Sequence, residues 1–155
     1  MLNLDNAVGG SIADPQAVAT IFSDDAPNDA PDCSGVTADS SELWPPNHVL
    51  HAITLSGATD ADGDAVQLTI TGVTQDEPTN GRGDGDIAPD AVAGSASNEV
   101  KLRAERAGRG DGRVYRIAYT GTDGSASCSG TAFVGVRHAV PQAPIDSGAA
   151  FDSFS

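Results

Sequence analysis

The apolar residues of this chain come in short alternating or β-branched stretches cut apart by glycine and proline, and that punctuation restricts what it can fold into. No window repeats apolar side chains at i, i+3, i+4, i+7 over three turns, the pattern an amphipathic helix needs. Eighteen glycines and nine prolines among 155 residues separate stretches of strand character at 17–22, 49–56, 65–73, 99–104, 113–120 and 127–136. Between 66 and 73, Val66, Leu68 and Ile70 sit two apart with Gln67, Thr69 and Thr71 between them. One face of such a strand packs inward and the other meets water. The segment from Val114 to Tyr119 reads the same way. Six or seven short strands separated by turn clusters predict an all-β, antiparallel β-sandwich.

The core available to that sandwich is lean. Leu, Ile, Val and Phe together number thirty of 155 residues, just under the fifth or so below which a highly charged chain usually stays disordered. Disulfides and metal ions are the usual supplements for lean secreted domains. The net charge of −14 argues against nucleic acid and anionic membrane surfaces as partners. Eighteen of the twenty-two acids are Asp, the residue of turns and oxygen-donor loops. Eight of the twenty-two acids fall between Asp60 and Asp90, where the only base is Arg82.

Composition also divides the chain. From Asp24 to Pro31 there is no apolar residue larger than Ala and Pro, so 1–25 reads as a separate piece, 26–31 as a linker and 32–140 as the main sandwich. Beyond Pro141 the sequence is again polar, which predicts a loosely attached tail over 141–155 with Phe151 and Phe154 as its anchors. No apolar run is long enough to span a membrane and no signal peptide is visible, so an exported protein would be represented here by a mature fragment.

Cys33 and Cys128, the only cysteines, bracket the strand-rich region from its first strand to its last, a placement that suits a disulfide; two buried free thiols are the alternative. Asp60, Asp62 and Asp64 alternate in a tight turn around Gly63, so that their oxygens could converge on one hard cation such as Ca2+; a plain polar turn is the alternative. The glycine falls too early for an EF-hand. A second acidic group, Asp76, Glu77, Asp84, Asp86 and Asp90, lies in Gly-rich loops flexible enough to gather the same kind of ligand set. Its alternative is a structural ion pair with one of the arginines around the turn from Arg103 to Arg113. Arg82-Gly83-Asp84 and Arg109-Gly110-Asp111 both spell the tripeptide read by animal integrins, a sequence too common in Gly/Asp-rich turns to carry an assignment. His48, His51 and His138 lack metal-ligand spacing and no nucleophile elbow is present, so no enzyme is expected. Trp44, Tyr115 and Tyr119 are the only aromatics suited to stacking on a sugar, and Trp44 at its Pro-Pro turn reads first as a core plug.

The ordered set Leu43-Trp44-Pro45-Pro46-Asn47-His48, Asp62-Gly63-Asp64, Asp76-Glu77-Pro78, Gly83-Asp84-Gly85-Asp86, Leu102 to Arg106 and Gly112 to Tyr115 resembles an immunoglobulin-like module that recurs near the C-termini of large secreted bacterial proteins. The resemblance covers about residues 31–140 and implies an extracellular β-sandwich with a bridge between Cys33 and Cys128. The Asp60 to Asp64 turn is also similar to calcium-loop turns of bacterial cadherin-like repeats. Separately, Leu4 to Asn6, Ser11 to Ile21 and Asp24-Asp25 resemble the closing hairpin of a Calx-β repeat, with Ala17 where a glycine is usual. Together these resemblances imply a secreted or cell-surface, calcium-binding spacer, adhesion or assembly module. Its partners would be other protein modules or copies of itself, and the orphan strand at 17–22 would either dock on its own sandwich or add to a neighbouring molecule's sheet. The alternative is a carbohydrate-binding accessory module of a secreted hydrolase, with a glycan as partner.

Overall fold

Strands rather than helices follow from side chains that alternate every second residue, since only a pleated chain can turn all of its apolar members to one face. The computed structural model describes residues 27–155, together with residues 8–10 and the backbone of 2–3 and 16–17. The strands are β1 (Leu2–Asn3), β2 (Gln16–Ala17), β3 (Thr37–Ala38), β4 (Glu42–Leu43), β5 (Leu50–Ser56) and β6 (Gln67–Gln75), followed by β7 (Ala91–Ala93), β8 (Glu99–Arg103), β9 (Arg113–Thr122), β10 (Ser127–Val136) and β11 (Phe151–Asp152). β1 and β2 pair antiparallel. The strand expected at 17–22, and with it the Calx-β-like hairpin, lies outside the described residues apart from that short pairing.

The main region is a two-sheet sandwich. One sheet has the order β3-β5-β8-β7, the other β11-β6-β9-β10-β4. The first matches the A-B-E-D sheet of a seven-stranded immunoglobulin-like domain and β6, β9 and β10 match its C-F-G sheet, so the expected architecture is present. All pairings are antiparallel except that of β10 with β4. β4 and β11 are additional edge strands, and like β3 and β7 they are too short to show a period in the sequence.

β6 contains a register shift between Ile70 and Gly72. Because a bulge adds one residue to one strand, it moves the inward phase from Leu68 before the shift to Val73 and Gln75 after it. The bulge thereby aims the polar Gln75 into the interior. Ile53, Leu55, Val100, Leu102, Ile117, Val134 and Val136 fill the space between the sheets. Cys33 and Cys128 are bonded to one another, with Cα atoms 5.7 Å apart. The bridge ties the segment before β3 to the second residue of β10, as their bracketing positions predict.

Two expectations change. Trp44 is 46% exposed and plugs no core, whereas Tyr115 and Tyr119 are buried in it. The three aromatics therefore form no common stacking platform. The polar tail is also not loose, because it is held by hydrogen bonds that composition does not reveal. Asp146 pairs with Arg116, the Ser147 amide donates to Asp76 Oδ2 at 2.9 Å, and Pro144 rests where Gly135 has no side chain. Ser153, fully buried, donates its amide to Val73 O at 3.1 Å and accepts the Ala91 amide at 2.7 Å, linking the two sheets at their open edge. Phe151 and Phe154, the expected anchors, are themselves exposed.

Candidate functional site

The first residue of β9 organises one end of the sandwich. Arg113 is in phase with Tyr115, Ile117 and Tyr119, so its side chain enters the interior and is fully buried. A buried guanidinium needs acceptors for its donors and charge to balance its own. The loop after β6 supplies both. Asp90 Oδ2 accepts Arg113 Nη1 at 2.7 Å, Glu77 Oε2 lies 3.4 Å from Nε and Asp84 Oδ2 lies 3.8 Å from Nη2. The Pro78 carbonyl and the Tyr115 hydroxyl accept at 3.4 and 3.3 Å, and the Tyr115 ring lies 5.8 Å from the guanidinium carbon. Tyr115 in turn donates its hydroxyl to Arg103 O at 2.9 Å, joining β9 to the end of β8.

The carboxylates are wired further. Gln75 donates to Asp90 Oδ2 at 2.6 Å, and Arg103 stands 3.8 Å from its other oxygen while bonding Pro89 O and His48 O. Glu77 Oε2 also accepts the Ala107 amide at 2.7 Å. Asp76 accepts the Val114 amide at 2.7 Å, and Asp84 accepts the Gly81 and Asp86 amides. Glu105, fully buried, meets Nδ1 of His48 at 2.9 Å. His48 itself holds φ at 64°, a left-handed backbone uncommon outside glycine.

Of the five acids expected in the second calcium loop, Glu77, Asp84 and Asp90 meet the protein's own Arg113, while Asp76 accepts the Val114 and Ser147 amides. Asp86 stays exposed outside that group. The sequence contained a signal for this arrangement: a lone arginine on the inward face of an alternating strand, within reach of an acidic loop. Gln75, Tyr115 and the pair of His48 with Glu105 carried no such signal, because the bulge and the loop paths that place them are tertiary.

Asp60, Asp62 and Asp64 sit at the opposite end. Asp60 Oδ1 accepts the Asp62 amide at 2.8 Å, Asp62 Oδ2 accepts the Asp29 amide at 2.6 Å, and Asp64 is exposed. The second oxygen of Asp60 is buried without a hydrogen-bond partner. The loops at this end, 27–36, 57–66, 94–98 and 123–126, contain Asp29, Asp32, Asp60, Asp62, Asp64 and Asp123 and no basic residue. Among the described residues, no group of three or more His, Cys, Asp or Glu side chains is arranged to hold a metal ion.

Burial sets the direction for two acids at the Arg113 end. It raises Asp90 above the ordinary carboxylate value in spite of Gln75, Arg113 and Arg103, and it raises Glu105, one of whose oxygens has no partner, in spite of His48. A raised carboxyl group binds its proton more tightly in the folded state, so the stability it contributes is full at acid pH and is lost as pH climbs from the ordinary carboxylate range through the raised value. Asp32 and Asp123 are lowered chiefly by backbone hydrogen bonds and Asp146 by Arg116, so their contribution fades instead as pH falls below about 4. Urea unfolding should show greatest stability at mildly acid pH with a decline toward neutrality, and Glu105→Gln should flatten that decline. Stability that rises steadily from acid to neutral pH would contradict the assignment.

No family model, curated protein or solved structure matches the chain.

Proposed function

We propose that this chain is a non-enzymatic structural module of a secreted or cell-surface protein, serving as a spacer or assembly unit among other modules or copies of itself. The observation that carries the reading is that the buried carboxylates around Arg113 are met by groups of the protein's own fold. The carboxylates around Arg113 face guanidinium groups and backbone amides inside the fold, where a structural role needs them and a substrate could not reach them. The disulfide is compatible with an oxidising compartment and supports the extracellular setting. Calcium belongs to the proposal only at the Asp60 to Asp64 end, where six aspartates without a base and the unpartnered oxygen of Asp60 favour a cation. Calcium is not part of the proposal at the other end, where the charge of Arg113 already stands among Glu77, Asp84 and Asp90.

Thermal melting with chelator and with millimolar calcium tests this reading. Calcium should raise the melting temperature by mass action, and the rise should vanish in Asp60→Asn/Asp62→Asn. Curves that coincide across calcium would remove the ion from the account. Saturable glycan binding lost on Trp44→Ala would overturn the spacer role itself.

A further inference from the structure

Two loops at the Arg113 end repeat one pentapeptide. Gly81 to Gly85 and Gly108 to Gly112 both read Gly-Arg-Gly-Asp-Gly, and the fold stacks them against each other. The Gly108 amide donates to Arg82 O at 3.1 Å. A Cβ on Gly108 would stand 3.3 Å from the Gly83 Cα, so the two backbones meet with no side chain between them. Each loop is fixed from beneath, the first by buried Asp84 on Arg113, the second by Glu77 on the Ala107 amide and by His138 Nε2, 3.2 Å from Gly108 O.

Arg82 and Arg109 are exposed and, with Gly83 and Gly108, line a concavity of about 380 Å³ between the loops. Four of the seven arginines form ion pairs: Arg103, Arg113, Arg116 and Arg137. The three that form none among the described residues, Arg82, Arg106 and Arg109, all belong to these neighbouring loops. The exposed acids Asp86 and Asp111 lie on the same loops, yet neither is within ion-pair distance of an arginine.

We propose that the stacked Gly-Arg-Gly-Asp-Gly loops form an oxyanion site in which Arg82 and Arg109 clamp a single carboxylate, sulfate or phosphate group. Guanidinium forks match the planar edge of such groups bidentately. The carrier is compact and otherwise uncharged, because a polyanion would meet the repulsion of a protein at −14. This site goes beyond the proposed structural role and does not depend on it.

Titration of labelled protein with sodium sulfate, followed by amide NMR against sodium chloride of equal ionic strength, tests the assignment. The expected result is saturable shifts centred on Gly83 and Gly108. Arg82→Gln or Arg109→Gln should weaken binding about tenfold each, with the melting temperature kept because neither side chain bonds another among the described residues. Lys101→Gln, which removes one charge elsewhere, should leave it unchanged. Shifts that do not saturate, or that persist in the double arginine variant, would overturn the site. Tighter binding of a multiply sulfated oligosaccharide than of sulfate would overturn the single-oxyanion ligand class.

Discussion

Replacing Arg113 with Met should destabilise the fold by about 3 to 5 kcal/mol, the range for breaking a buried ion pair by removing one partner. Methionine preserves much of the packing volume, so the loss comes from the three carboxylates left behind. Asp84 and Asp90 are fully buried and Glu77 nearly so, and without Arg113 they repel one another with only Arg103 beside Asp90 to oppose them. At roughly 4 °C per kcal/mol for a domain of this size, the melting temperature should fall by more than about 10 °C. Arg113→Lys should recover only part of the loss, because a point-charged ammonium cannot reach Asp90, Glu77, the Pro78 carbonyl and the Tyr115 hydroxyl at once. A melting temperature within about 3 °C of the parent in Arg113→Met would show that the cluster contributes little.

Removing the disulfide should have an effect of similar size by a different route. Cys33 and Cys128 are 95 positions apart, and in the chain-entropy model closing so long a loop in the unfolded chain is worth roughly 4 to 5 kcal/mol. The native state offers little to replace it. The segment before β3 is otherwise held by the paired backbone bonds of Asp32 with Thr59 and by contacts at the acidic end. Cys33→Ala/Cys128→Ala should therefore lower the denaturant midpoint strongly and steepen the slope, because the unlinked chain exposes more surface when unfolded. A midpoint shift below that of a typical surface substitution would place the stability of this lean core elsewhere.

Much of the sandwich was legible in the sequence because its long strands obey a two-residue period. Ser127–Val136 matches its predicted bounds, and β5, β6, β8 and β9 differ from theirs by only a few residues. The bulge in β6 could not be read, since an extra residue changes the facing of side chains without changing composition. Strands of two or three residues show no period at all. The terminal strap escaped for a related reason: buried Ser153 and the Asp146 pair with Arg116 hold it through backbone and ionic bonds, whereas sequence patterns report apolar burial.

The candidate site was half legible. The acidic run from Asp76 to Asp90 announces a need for positive charge, but carboxylates in Gly-rich loops look alike whether a calcium ion or a guanidinium satisfies them. What decides is the phase of β9, which sends Arg113 inward. Trp44 shows the opposite error, since an aromatic residue in a lean sequence invites a core role while the two prolines after it keep the chain at the surface, where it is 46% exposed.

That Arg113 is the internal cation of the acidic loop is tested most directly by a double-mutant cycle of Arg113→Met and Asp90→Asn, read by urea unfolding at neutral pH. The pair is 2.7 Å apart and fully buried, so the two changes should be strongly non-additive, the double variant being more stable than the sum of the single losses by at least about 1 kcal/mol. Additive losses would contradict the account.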